Sequence, residues 1–416
     1  MLAELGAFVV FKVTRNQNFS KSYLQQKLLS NTTQANNVLG TTQESEDDWL
    51  SIAVLHPYVG FVHDPTKDSR YNRFGWLGDD PLQKKSQDKI IIALFGGSVA
   101  NQLFDTSKDI LISELKKSPQ FKNKQIEILC LALSGYKQPQ QLLALNYLLS
   151  LGAEFDVIVN LDGFNEVALP YRSNYENGIS PTFPRYWNLY SHKGVNEQEM
   201  LQLSKVTALS KDRQIISVFF SQIPLKNMIV PLMTWNSLNE LLQIQAVRAD
   251  ALLQKTLDNL DSTYQVTGPS VETKTDLQLF TYLVDMWKNS SEQMNKISVA
   301  NGIKYFHFLQ PNQYVDGSKT FSKEEIRVAR NDLANVDSLD SRSLIYQKAV
   351  QEGYPLLIEA GRRLNEENIK FVDLTQVFGQ NKDIIYVDSC CHYNLEGNAI
   401  LARQIAETIR QSYSSE

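Results

Sequence analysis

An α/β fold built on a parallel sheet is what this sequence predicts, on three observations. Apolar runs of strand length, rich in Ile, Val and Leu, alternate along the chain with segments of helical period. Those runs are apolar throughout instead of alternating, as strands covered on both faces are. The first three of them end on glycine beside a small polar group, so the chain turns repeatedly at one sheet edge. With 416 residues, 43% hydrophobic and 21% charged, the chain has ample material for a core, as one large domain with insertions or as two domains. A net charge of −5 without a basic, aromatic-rich patch argues against a nucleic-acid partner. Three cysteines, two of them adjacent, indicate no disulfide framework.

Taken in order, residues 1–12 are apolar but shorter than the roughly 18 residues of a membrane span. They read as a buried strand or helix, or as the tail of a membrane anchor that would face the domain toward the cell envelope. Within the arm, which runs to residue 48, residues 14–48 are polar and Asn/Gln/Ser/Thr-rich and read as loosely ordered. Residues 49–166 form the first half of an α/β domain. An aromatic lead-in contains His56 and His63, which lack a carboxylate or thiol companion at ligand spacing and read as packed or surface histidines. Ile90–Phe95 is the first strand; Gly96 and Gly97 permit a sharp turn, and helical spacing begins after Ser98. Strands follow at 125–133, ending in Ser134-Gly135-Tyr136, and at 155–161, ending in Asp162-Gly163-Phe164-Asn165-Glu166. Residues 167–300 leave this rhythm and read as a mostly helical insertion, a cap over the sheet edge or a packing buttress. Residues 301–416 return to it, with strands at 303–309 and 369–374, a helix from about 341 to 365 and a last helix after residue 398.

A serine at a strand–turn–helix corner stands where α/β proteins place reactive groups, near a helix N-terminus that favours negative charge. Ser98 is that serine, or else it merely caps its helix. Near the other end, Asp388 and His392 precede the last helix. An imidazole accepts a hydroxyl proton during nucleophilic attack, and a carboxylate fixes its tautomer, so Ser98, His392 and Asp388 are the candidate catalytic residues; otherwise His392 caps the last helix and Asp388 pairs with a group nearby. Acyl transfer also needs donors aimed at the oxyanion. The Ser98 N–H, the Gly135 N–H and the Asn165 side-chain amide converge if their three strands are neighbours, although Gly135 also suits a helix-entry turn and Asn165 an Asx-turn. Gly97, Gln310 and His307 are candidates for substrate binding of lower rank. Cys390 and Cys391 flank the site, as redox-sensitive thiols or as small apolar fillers. The chemistry calls for no metal, and no Gly-x-Gly-x-x-Gly or Walker pattern suggests a nucleotide cofactor.

These residues resemble the separated blocks of the SGNH/GDSL-type hydrolases, of which the chain would be a diverged member with a large helical insertion. Gly97-Ser98 resembles the first block, Gly135 the glycine of the second, and Gly163-Phe164-Asn165-Glu166 the third, with Glu166 in place of the usual acid. Asp388 and His392 resemble the last block, with one residue more between them than the family's Asp-x-x-His. The resemblance covers residues 90–166 and 300–412. It implies a three-layer flavodoxin-like α/β fold and esterase chemistry through an acyl-enzyme on a small-molecule or glycan ester. Two other functions compete: acyl transfer to a cell-envelope glycan, and non-catalytic ligand binding at the glycine-lined edge.

Overall fold

Runs of Ile, Val and Leu without polar interruption have no use for a solvent face, and the chain lays them side by side in its interior. The computed structural model describes residues 52–191, 197–222, 224–257, 264–272, 275–329 and 341–414, with a few positions between 21 and 31. In chain order the principal elements are β1 (Ala53–His56), β2 (Gly60–His63), β3 (Lys89–Gly96), α1 (Ser98–Leu115), β4 (Gln125–Ala132), α2 (Gln140–Ser150), β5 (Val157–Asp162) and α3 (Phe164–Leu169). They continue with α4 (Glu197–Ser221), α5 (Ile229–Leu257), α6 (Asp276–Ala300), β6 (Lys304–Leu309), α7 (Ser341–Glu366), β7 (Lys370–Asp373) and α8 (Leu395–Ser414). The chain divides into two compact units, one of residues 1–51 and 193–261, the other of 52–192 and 262–416. The stretch 167–300, read from sequence as a single insertion, is thus shared between them.

In the larger unit, β1 and β2 pair as an antiparallel hairpin, and five strands form a parallel sheet in the order β4-β3-β5-β6-β7. The first strand of this sheet lies between the second and the third, so the strand order reverses direction at β3. That reversal opens a crevice outside the carboxyl ends of the strands, the place where open α/β sheets bind ligands. Register sets the edge: Gly96 pairs with Ala132 on one side and Leu161 on the other, while Asp162 pairs with Leu309 and Leu309 with Asp373. The residues that follow these strands therefore emerge together. Helices α1 and α8 pack on one another, as do α6 and α7. All of β5 is buried, including its polar residues Asn160 and Asp162. Phe95 in β3 is fully buried; truncating such a side chain to Ala costs about 3–5 kcal/mol.

Helix boundaries follow local chemistry. Thr275 caps α6, its hydroxyl accepting from Gln278 N at 3.2 Å. Within the 315–340 stretch read as loop, Lys323–Ala329 is helical, and residues 330–340 lie outside the described residues.

In the smaller unit, α4 and α5 pack against each other. Leu24 and Leu28, four positions apart on a helical stretch of the N-terminal arm, are buried with Leu232 and Trp235, and Ile216 and Phe220 pack against that cluster. The Trp235 indole N–H donates to Ser217 Oγ at 2.9 Å. A helix was expected here from about Ser237; α5 starts earlier, at Ile229, because Pro231 falls in its first turn, where a missing N–H costs nothing. The apolar 1–12 stretch lies outside the described residues. No helix among the described residues is long and apolar enough to cross a membrane.

Candidate active site

The corner after β3 is shaped by two glycines. Gly96 takes φ +147°, and a Cβ there would meet Leu161 O at 2.1 Å. A Cβ on Gly97 would meet the Asn165 amide nitrogen at 2.1 Å, with Tyr136 O at 3.2 Å, so this glycine lets both approach the corner. Ser98 is the first residue of α1. Its N–H belongs to the opening turn of a helix, which has no intrahelical acceptor and carries the positive end of the dipole.

Three loops meet this corner. After β4, Tyr136 N donates to Leu133 O at 3.0 Å and closes a turn that contains Gly135. After β5, Asn165 donates from Nδ2 to Tyr136 O at 2.7 Å. An amide nitrogen has two hydrogens; Tyr136 takes one, and the nitrogen lies against Gly97. Glu166, where an acid of another kind was expected, is a buried cap for α3: Oε2 accepts from Gly163 N at 2.8 Å, and Oε1 from Gln141 Nε2 at 3.2 Å. Burial and the neighbouring Asp162 charge push its carboxyl up to about 8.

The third loop, before α8, carries His392 and Asp388. His392 Nε2 lies 2.7 Å from Ser98 Oγ, and His392 Nδ1 lies 2.5 Å from Asp388 Oδ2. The additional residue in their spacing is taken up by a loop coiled around the carboxylate. Asp388 Oδ1 accepts from the N–H groups of Cys390 at 2.9 Å, Cys391 at 3.0 Å and His392 at 3.2 Å. Burial alone would raise the Asp388 pKa, but the His392 charge and these donors hold it below the usual carboxylate value. Burial likewise works against a charged His392, yet the negative charges of Cys391 and Asp388 raise its pKa well above the ordinary imidazole value. Cys391, also opposed by burial, is drawn down to about 7 by the Cys390 thiol and the His392 charge.

The segment after β6 fixes this loop from outside. Asn312 Nδ2 donates to Cys390 O at 3.0 Å, Gln313 Nε2 to Asp388 O at 3.1 Å, Tyr314 Oη to Ser389 O at 2.7 Å, and Tyr393 Oη to Pro311 O at 2.5 Å. Sequence reasoning missed these clamps, because side chains that grip a distant backbone leave no periodic signal.

Gln310 and His307, lower-ranked candidates for substrate binding, are both buried. Gln310 is 3% exposed, and its N–H continues the sheet pairing to Asp162 O at 2.8 Å. His307 is fully buried, with Nε2 2.8 Å from Asp162 Oδ1 and Nδ1 2.8 Å from Ser291 Oγ, so neither ring nitrogen is open to a ligand. Its place on β6 beneath the edge, and not on the loop after it, is the reason. The Trp287 indole N–H donates to the same Asp162 oxygen at 2.8 Å, and Asn160 Nδ2 to the other at 2.7 Å. His63 is also buried, with its pKa lowered by burial to about 3. Among the described residues, Cys390, Cys391 and His392 bring metal-binding atom types within 4.8 Å of one another. Both His392 nitrogens are already engaged, by Ser98 and Asp388, and we do not assign a metal there.

No protein-family model matches the chain, and no curated protein matches it. Among solved structures it is similar to a GDSL-like lipase from Bacteroides thetaiotaomicron, with 13% identity and a TM-score of 0.35, over 80% of this chain and 92% of that one. At that distance the likeness assigns no role to any residue.

Proposed function

We propose that this protein is a serine acyl-ester hydrolase of SGNH/GDSL type on a three-layer flavodoxin-like scaffold. One observation carries the reading: a serine hydroxyl at a helix N-terminus, 2.7 Å from an imidazole whose other nitrogen is 2.5 Å from a carboxylate. The strand order, with the first strand between the second and third, supports the scaffold.

Asp388 holds His392 with its proton on Nδ1, which leaves Nε2 as the base. Ser98 Oγ attacks the ester carbonyl carbon as its proton passes to Nε2. The oxyanion that forms is assigned to the Ser98 N–H, the Gly135 N–H and the Asn165 amide, a reading supported by the hold of Tyr136 O on Asn165 Nδ2. Collapse breaks the bond to the alcohol, which leaves with the proton from Nε2, and the acyl group stays on Ser98. Water then attacks the acyl-enzyme by the same steps in reverse order of partners, releasing the acid and restoring the hydroxyl.

Reaction with a fluorophosphonate probe tests this directly. The wild-type chain is expected to be labelled at Ser98 and to turn over p-nitrophenyl acetate, with both signals absent from Ser98→Ala and His392→Ala chains that remain folded by circular dichroism. A folded wild-type chain that neither labels nor turns over would leave a ligand-binding protein in place of a hydrolase.

A further inference from the structure

We propose that Cys390 and Cys391 form a reversible oxidation site, a dithiol that a hydroperoxide closes to a disulfide between neighbouring residues, disengaging Asp388 from His392. The loss of activity rests on the hydrolase reading above; the thiol chemistry stands apart from it.

The two Sγ atoms lie 2.9 Å apart. Cys390 is partly exposed and Cys391 buried, so an oxidant from solvent meets Cys390 first. Cys130 provides the contrast: it is buried in β4, and burial pushes its thiol up to about 12, the state of an inert packing residue.

The peptide unit that joins the two cysteines is held at both ends. Its carbonyl, Cys390 O, accepts from Asn312 Nδ2 at 3.0 Å, and its N–H, on Cys391, donates to Asp388 Oδ1 at 3.0 Å. Successive Cα atoms are about 3.8 Å apart across a trans peptide, below the usual disulfide range of about 4.4–6.8 Å. Ring closure between neighbours must therefore twist that peptide, and twisting it takes the Cys391 N–H off the carboxylate. A strained disulfide is also the more easily reduced, which makes closure reversible.

The steps balance as follows. The Cys390 sulfur attacks the terminal peroxide oxygen as its thiol proton passes to the departing oxygen; the O–O bond breaks, an alcohol or water leaves, and Cys390 becomes a sulfenic acid. The Cys391 thiolate, favoured by its lowered pKa, attacks that sulfur and expels hydroxide, which is protonated to water. Two thiols are oxidised to one disulfide, and one hydroperoxide is reduced.

The experiment treats the reduced full chain with hydrogen peroxide and reads three signals: the mass of the peptide spanning residues 386–398, p-nitrophenyl acetate turnover, and fluorophosphonate labelling. Expected are loss of two hydrogen atoms from that peptide and a fall of about 100-fold in turnover with a matching loss of labelling, in line with the effect of small misplacements at a reacting centre. Dithiothreitol reverses all three. Cys390→Ser and Cys391→Ser, each compared with its own reduced sample, are expected to keep their turnover after peroxide. No mass change in the wild-type peptide overturns the site. A mass change with turnover and labelling intact overturns its coupling to Asp388, as does an equal loss in both Ser variants. A reduced chain that is folded but inactive and unlabelled overturns the hydrolase reading and the regulatory consequence with it, while the mass still decides the modification.

Discussion

Among its described residues, the larger unit contains the connection serine–histidine–aspartate twice. At the sheet edge, Ser98 Oγ, His392 and Asp388 are joined at 2.7 and 2.5 Å. In the buried core, between α6 and the sheet, Ser291 Oγ, His307 and Asp162 are joined at 2.8 and 2.8 Å. The bond lengths barely separate them; their surroundings do. Ser291 lies within α6 and is fully buried, and its hydroxyl is shared with Tyr305 Oη at 3.1 Å. Asp162 is saturated by Trp287 and Asn160 as well as by His307. Ser98 opens a helix, is part-exposed, and has the Asn165 amide and Tyr136 O beside its corner. A hydrogen-bonded triad is thus a structural cross-link when sealed in a core. To serve as a nucleophile, as proposed for Ser98, it needs access to a substrate and donors for the charge it creates.

The sharpest way to break this comparison is to remove each serine in turn. Ser98→Ala is expected to lower ester turnover by about 10⁴–10⁶-fold with the unfolding midpoint almost unchanged. Ser291→Ala is expected to leave turnover intact and to cost about 1–3 kcal/mol in urea unfolding, since it strands the His307 nitrogen. Turnover lost with Ser291 and kept without Ser98 would invert the roles assigned to them.

The carboxylates give the next effect. Asp388→Asn is expected to reduce kcat by about 10⁴-fold through the wrong imidazole tautomer, while the fold persists. Asp162→Ala, which leaves three buried donors without their acceptor, is expected to cost about 3 kcal/mol or more of stability. Equal stability losses in the two variants would erase the distinction between edge and core.

The smallest effect is a shift along the pH axis. In the proposed mechanism His392 must be neutral to accept the Ser98 proton, and its pKa is raised well above the ordinary imidazole value. Activity is therefore expected to be low at acid pH and to rise through a limb centred above the usual imidazole range in kcat/KM. Cys391→Ser removes one of the two charges that raise that pKa, and the limb is expected to move to lower pH. A limb that stays in place would remove Cys391 from the electrostatics of the edge.

Much of the fold was legible because a doubly covered strand cannot hide: Ile90–Phe95 and Val157–Leu161 carry almost no polar residue, and the sheet uses both. Ser98 and His392 were legible as a pair since each stands at the end of an element, where side chains are free to meet. The coiled loop around Asp388 was not, because three N–H groups converging on one oxygen depend on backbone angles and not on residue period. His307 was a candidate for substrate binding because sequence shows proximity to the edge and not depth beneath it. The buried network did leave one trace. Asn160 and Asp162 interrupt an apolar strand two positions apart, hence on one face, but their partner Trp287 is 125 positions from Asp162. In the arm, the spacing of Leu24 and Leu28 was outweighed by polar composition, although one buried helical face requires few residues.

The hydroxyl of Ser98 and the ring of His392 are 294 positions apart in the chain. At a synthesis rate of about 5–20 residues per second, roughly 15–60 s separate their appearance on the ribosome. Throughout that interval the serine hydroxyl is without its imidazole partner. On the proposed hydrolase reading, the growing polypeptide is chemically silent toward esters until its last parallel strand and the loop beyond have emerged and docked.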